Sequence, residues 1–280
     1  MVAVGLSWEK RLRTLVGILR CGENEFEQCI SSLKNQTYRN YDYFVIENQP
    51  NKAAHDQLYQ RFMDSASNYD AFLKLDADMV FANERALEQL CDQVELDTSI
   101  LFSWVNDIPS SLKIPGIFMF RSNVVWTGNS DNLNVDYAPQ FTGRRKAIGD
   151  RDLVLHMPDP SPQQLLRYGV HKALKAIQPD RRKKIPKKGL LHIAIINGIA
   201  RNYSSGRKDL APALIGAMLV FSGRTRSVDY NSDTNRALFE EILSDEVLFE
   251  QMRIEAGKYW SAEVNNLFRW FDAHQSTVWT

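Results

Sequence analysis

The sequence predicts an α/β fold, a mixed sheet of mainly parallel strands followed by a helical C-terminal region. Three observations predict it. Over the first 100 residues, short apolar runs alternate with segments whose apolar residues recur at helical spacing, the pattern of βαβ units. The runs are nearly continuous in apolar residues, as strands covered on both faces are. After Pro160 the strand pattern stops and helical periodicity alone follows.

The elements follow in order. "TLVGIL" (14–19) is a β-rich run. "NEFEQCISSLKNQ" places Phe26, Cys29, Ile30 and Leu33 at helical spacing, and Asn24 with Glu27 three residues on predicts a capping box. "YDYFVIE" (41–47) is the next strand. "AAHDQLYQRFMDSA" is a helix with Leu58 and Phe62 on one face. "AFLKLD" is the third strand, "NERALEQLCDQVE" the next helix, and "ILFSW" a fourth strand. Between 105 and 160, "GIFMFR" and "DLVLH" read as strands among loops rich in Asn, Asp, Gly and Pro. "SPQQLLRYGVHKALKAI" opens a helix with Ser161 as N-cap, Pro162 in the first turn and Gln164 in the capping-box place. Further helices are expected near 190–202, 210–222, 233–243, 245–256 and 259–272. The expected organisation is a catalytic domain over 1–160 and a helical region over 161–280, divided at "MPDPSP".

Of 280 residues, 44% are apolar and 24% charged, a composition that supports a core rather than disorder. Cys21, Cys29 and Cys91 have no metal-site spacing and form no even set, so reduced thiols and a cytoplasmic setting are expected. "MVAVGLSWEKRLR" lacks the features of a secretory signal, and no apolar stretch reaches the roughly 18 residues of a membrane span. Net charge is zero but divided: residues 1–160 hold 16 Lys and Arg against 22 Asp and Glu, and residues 161–280 hold 18 against 12. Much of the basic excess lies in "HKALKAIQPDRRKKIPKK". That region, 172–188, is a solvated face, a phosphate-binding surface or a peripheral contact with anionic membrane at its cytoplasmic side. No nucleic-acid partner is expected.

"FLKLDADMVF" (72–81) interrupts an apolar run with Asp76 and Asp78. Residues two apart in a strand point to one side, and the C-terminal edge of a parallel sheet is where ligands bind. Two convergent carboxylates repel unless a positive group joins them. A hard divalent cation, Mg²⁺ or Mn²⁺, bridging to substrate phosphates meets that need.

"LVGILRCGENEFEQCISSLKNQTYRNYDYFVIEN" followed by "YDAFLKLDADMVF" resembles the N-terminal half of a family 2-type glycosyltransferase of GT-A fold, over roughly residues 14–100. The resemblance implies a Rossmann-like mixed sheet with a D-x-D motif. It also implies a nucleotide-diphosphate sugar as donor, with UDP favoured, a metal on the D-x-D, and inversion at the sugar. Arg20 and Glu23, after the first strand, match positions that contact the nucleotide, and Glu47 matches an acid near the base or ribose. Asp76 and Asp78 match the D-x-D, Asp78 as the more direct metal ligand. His156, ending "DLVLH", matches the late histidine that completes the metal shell in many GT-A enzymes. The acceptor implied is a glycan or a lipid-linked saccharide.

The sequence departs from the family in carrying "ENQPNK" where "DDGS" is frequent, and in lacking both the Glu-Asp pair that often holds the catalytic base and the Q-x-x-R-W motif. Glycosyl transfer needs a base for the acceptor hydroxyl; Asp136 and Asp131, in "WTGNSDNLNVDYAPQF", are the candidates, Asp136 preferred. Trp104 and Trp126 are candidates for stacking on an acceptor sugar. His171 reads as structural or exposed. Two rivals stand beside this reading. A sugar-phosphate nucleotidyltransferase is disfavoured by the single glycine in "RCGENE". A catalytically degenerate nucleotide-sugar-binding or scaffolding relative is kept open by the missing Glu-Asp pair. Neither glycine-rich nucleotide fingerprint is present.

Overall fold

The computed structural model describes residues 11–128, 131, 133, 135–136, 138–149, 152–177, 187–225 and 233–262. Residues 178–186 of the basic region, Tyr137, and residues 263–272 of the last expected helix lie outside the described residues.

Strand β1 (Thr14–Arg20), helix α1 (Phe26–Lys34), β2 (Tyr41–Glu47), α2 (Asn51–Asp64) and β3 (Ala71–Asp76) open the chain as alternating units. β1 pairs in parallel with both β2 and β3. The short β4 (Met79–Phe81) and α3 (Ala86–Cys91) precede β5 (Thr98–Asp107) and β6 (Leu112–Arg121). The hairpin β7 (Val125–Thr127)–β8 (Ala138–Gln140) stands apart, and β9 (Arg144–Ala147) and β10 (Val154–His156) return to the main sheet. The order is β2-β1-β3-β6-β5-β10-β4, with β9 beside β5. β6 runs antiparallel between β3 and β5, so the fourth strand of the chain is not the neighbour of the third. The sheet is therefore mixed.

The near-continuous apolar strands are explained by two buried faces. In β1, Val16 and Ile18 join one core cluster while Leu15 and Leu19 join the other. In β3, Leu73 and Leu75 go one way and Phe72 the other. α1 and α3 cover the first face with Cys29, Leu33, Leu87 and Leu90. α2 covers the second with Leu58, Tyr59 and Phe62. Each such side chain contributes about 1.5–3 kcal/mol on burial.

Helices α4 (Pro162–Ile177), α5 (Lys187–Ser204), α6 (Ala211–Phe221), α7 (Asp233–Ser244) and α8 (Glu246–Ala262) complete the described fold. The core on the α1 side runs without a break from Val16 and Leu75 into Leu166, Ile195 and Met218, so the helical region and the sheet share one interior. α6 is apolar on all sides and buried along ten of its residues, as a central helix must be. α4 meets it at two glycines. A Cβ on Gly169 would lie 1.9 Å from the Ala213 carbonyl oxygen, and one on Gly216 would lie 2.2 Å from that of Leu166.

Both expected capping boxes can be compared with the bonds made. At α4 the reciprocal pair forms: Gln164 N–H donates to Ser161 Oγ at 3.2 Å, and Ser161 N–H donates to Gln164 Oε1 at 3.1 Å. At α1 it does not form. The helix begins at Phe26 with no side-chain cap, and Asn24 turns instead to α4 and its lead-in. Asn24 N–H donates to Gln164 Oε1 at 2.8 Å, and its amide donates to the Asp159 carbonyl. Gln164 Nε2 donates to the buried Glu25 at 2.7 Å. The start of α4 is thus stapled to the loop after β1.

Candidate active site

A cavity of about 340 Å³ opens at the C-terminal ends of β1 and β3, with α4 and α5 as its opposite wall. It holds most of the side chains singled out from the sequence, namely Arg20, Glu23, Asp76, Asp78, Asp136 and His156.

The chain does not run straight through the D-x-D. β3 ends at Asp76, Ala77 and Asp78 form a turn, and β4 resumes at the far edge of the sheet against β10. The two carboxylates flank a crossing between two places in the sheet, instead of sharing one side of a continuous strand. The crossing is held by Ala77 N–H donating to the Leu19 carbonyl at 2.9 Å and Met157 N–H donating to the Asp78 carbonyl at 2.8 Å. Met157 sits at φ 52°, a left-handed conformation that costs a non-glycine residue on the order of 1 kcal/mol or more.

Asp78 and His156 meet in the cavity floor. His156 Nε2 lies 3.4 Å from Asp78 Oδ2, and Nδ1 lies 2.6 Å from Oδ1 of the buried Asp107. Asp107 also accepts from the Tyr168 hydroxyl at 2.8 Å and from Ser110. Burial alone disfavours a charged imidazole, but Asp78 and Asp107 outweigh it and push the His156 pKa up to about 10. Asp78 Oδ1 is buried and has no hydrogen-bond partner among the described residues. An acceptor left so is costly unless a ligand meets it.

A divalent cation would fit here by displacing the Nε2 proton that Asp78 and Asp107 stabilise on His156. Two ligands at right angles around an ion with bonds of about 2.1 Å lie about 3 Å apart, near the Asp78–His156 separation. A metal-ligating histidine commonly gives its other ring N–H to a carboxylate, as His156 faces Asp107. Among the described residues no group of three or more ligating side chains is gathered. A Mg²⁺-type ion needs only one or two protein ligands when substrate phosphates supply the rest.

A second cluster occupies the mouth. Lys74, two residues before Asp76 on β3, donates to Asp136 at 3.0 Å and lies 3.7 Å from Asp76. Asp136 also accepts from the Tyr59 hydroxyl at 2.8 Å, and His55 Nε2 is 3.6 Å away. Burial opposes charge on both partners, but their attraction wins: it holds the Asp136 carboxyl well below the usual range and Lys74 well above it. Asp136 is nevertheless 57% accessible, open to the cavity. Glu23 behaves in the opposite way. Burial, with Asp78 and Asp76 nearby, pushes it up to about 7.

The remaining sequence candidates are dispersed. Arg20 pairs with Glu47 at 2.9 Å and lies over the Phe26 ring at 3.9 Å, at the cavity rim. Glu47 and Asp131 are not among the cavity's lining residues, and Asp131 accepts from Leu133 N–H at 2.8 Å. Trp126 packs in a buried aromatic group with Tyr59, Phe62, Phe72 and Phe120, and Trp104 also lies off the cavity. His171, read as structural or exposed, lines the cavity together with Lys172 and Lys175 of the basic region.

Sequence reasoning missed Lys74, Asp107 and Tyr168. Lys74 had a signal, a lone cation in an apolar strand at the same parity as Asp76. Asp107 and Tyr168 had none, because their pairing with His156 joins three distant segments.

No protein-family model matches the chain, and no curated protein matches it. The chain has a distant likeness to the crystal structure of S. aureus TarS, at 11% identity and a TM-score of 0.32, covering 88% of this chain and 54% of that one. This chain therefore spans about half the length of that structure, and a likeness of this size carries no weight for fold or function. Among the described residues no helix is long and apolar enough to cross a membrane.

Proposed function

We propose that the protein is a GT-A-like glycosyltransferase that moves a sugar from a nucleotide-diphosphate donor, UDP favoured, to a hydroxyl acceptor. The observation that carries this reading is the Asp78–His156–Asp107 chain facing a cavity at the C-terminal edge of parallel strands, with Asp78 Oδ1 unpartnered. The resemblance of residues 14–100 to family 2 enzymes supports the donor class and an inverting outcome.

Asp78 and His156 would hold a Mg²⁺ or Mn²⁺ ion, with Asp76 beside them, and Asp107 would fix the imidazole. Such an ion, when bound, neutralises the charge of the departing diphosphate. Arg20 and Glu23 sit where the nucleotide would enter. Glu47 acts through Arg20, whose guanidinium it orients. Asp136 is the proposed proton acceptor for the acceptor hydroxyl. Lys74 keeps it ionised, which a base requires, and also weakens it. Asp131 is left to the loop, bonded to Leu133 N–H. The helical wall excludes water from the reacting atoms.

A second reading is a nucleotide-sugar-binding protein without turnover. It is favoured by Lys74, which neutralises both Asp76 and Asp136. Incubation with a panel of UDP- and GDP-sugars and Mn²⁺, following nucleoside diphosphate release with and without simple glycoside acceptors, separates the two. Acceptor-dependent release supports the transferase. Tight nucleotide binding with no release on any acceptor supports the second reading.

A further inference from the structure

We infer that the proton taken from the acceptor hydroxyl comes to rest on His55 Nε2, so that Asp136 and His55 of α2 work as a pair. This rests on the transferase reading above and names a further catalytic residue for it. His55 lines the cavity beside Asp136. Its Nδ1 lies 2.8 Å from the carbonyl oxygen of Asn51, one helical turn earlier. A carbonyl only accepts, so Nδ1 carries the ring's hydrogen. Burial, with Lys74 close by, lowers the His55 pKa against the opposing effect of Asp136 and Asp76, so the ring is neutral at pH 7. Nε2 is therefore a bare lone pair. It lies 3.6 Å from Asp136 Oδ1, and two acceptors side by side leave a place for one hydrogen between them.

Asp136 alone is a poor place to leave that proton. Its Oδ1 already accepts from Lys74 Nζ and from the Tyr59 hydroxyl, which stays protonated. Lys175, on α4, adds to the charge that favours the carboxylate. His55 has the opposite balance, because a proton there makes an imidazolium beside a carboxylate. As the acceptor oxygen bonds to the sugar carbon, its O–H bond breaks and the hydrogen passes to Asp136. The diphosphate departs with the electron pair of the sugar–oxygen bond. The carboxyl O–H bond then breaks, the Nε2 lone pair takes the hydrogen, and Asp136 is again a carboxylate. The imidazolium returns its proton to water once the product has left.

The test begins with nuclear magnetic resonance of the full chain, following the His55 ring nitrogens by long-range ¹H–¹⁵N correlation. At pH 8 a hydrogen on Nδ1 and none on Nε2 is expected. The titration midpoint should lie below 6.5 and fall further in Asp136→Asn, which removes the charge that favours the imidazolium. A kinetic arm follows UDP release from a panel of UDP-sugars with methyl glycosides as acceptors. Wild-type kcat/KM should carry an acid limb at the His55 midpoint. His55→Gln should lose that limb and lower kcat about 10²-fold or more, with UDP affinity nearly unchanged. A merely structural role would lower activity and leave the limb in place. A thermal melt checks the fold of His55→Gln, and if it unfolds, the wild-type tautomer and the shift in Asp136→Asn decide. The inference is overturned by a hydrogen on Nε2 at pH 8, by a midpoint indifferent to Asp136→Asn, or by a His55→Gln variant that keeps the limb or its kcat. If wild-type protein turns over no donor on any acceptor while the His55 ring behaves as expected, the transferase reading is what has failed, and the proton assignment falls with it.

Discussion

His156 Nδ1 lies 2.6 Å from Asp107 Oδ1, and this pairing turns Nε2 toward Asp78. Asp107 is buried and is braced by Tyr168 and Ser110, so the ring has one orientation. Replacing Asp107 by Asn removes the charge that fixes the ring. Mn²⁺ affinity, read by electron paramagnetic resonance in the presence of UDP, is expected to fall about 10- to 100-fold. Unchanged Mn²⁺ affinity would remove His156 from the metal shell.

The base assignment predicts a pH profile. Asp136 is held far below the usual carboxylate range, so it is ionised throughout the accessible range. If it takes the acceptor proton, Asp136 itself adds no limb to the pH profile of kcat/KM between about pH 5 and 8, and Asp136→Asn should lower kcat about 10²- to 10⁴-fold. Glu23 is the cavity carboxyl that titrates near 7. An acid limb with its midpoint near 7, retained in Asp136→Asn, would transfer the role to Glu23.

Glu23 also sets a stability trend. Its folded pKa, about 7, lies above the ordinary 4.5 because burial disfavours the carboxylate. The fold binds this proton more tightly than the unfolded chain does. That contribution is fully present below pH 4.5 and is lost as pH rises through 7. Glu23→Gln keeps a neutral group there, so it should stabilise the protein by about 2 kcal/mol at pH 8 and by little at pH 4.5. Urea unfolding at the two pH values checks this; equal effects would show that Glu23 does not carry the shift.

The placement of α4 depends on its contact with α6. Gly169→Ala puts a methyl 1.9 Å from the Ala213 carbonyl oxygen, which is backbone and cannot turn aside. Overpacking of this kind costs about 1–3 kcal/mol or more. A fall in midpoint temperature with weakened UDP binding is expected, because α4 forms the cavity wall. An unchanged melt would mean that the helices separate without cost.

The sheet was legible because apolar runs and helical periodicity are local properties of the chain. Leu15 and Val16 belong to opposite faces, and an unbroken apolar strand is what two faces require. The capping box at Ser161 was legible for the same reason, since its partners are three residues apart. Asn24 misled because its spacing to Glu27 is right, while Gln164, 140 residues away, offers a better acceptor. The antiparallel insertion of β6 and the break after Asp76 depend on which strand pairs with which, and no local pattern encodes that. Within the site, Asp76, Asp78 and His156 stood out as charged residues ending apolar strands. The lysines of α4 were hidden in a basic run whose residues 172 and 175 face inward.

The central claim is that Asp78 holds a divalent ion for a nucleoside diphosphate. Calorimetric titration with UDP, then GDP, in Mn²⁺ and again in EDTA, on wild type and Asp78→Ala, tests it most directly. Micromolar binding of one nucleotide, lost both in EDTA and in Asp78→Ala, is the predicted result. Binding of neither nucleotide under any condition, or binding indifferent to metal and to Asp78, would contradict it.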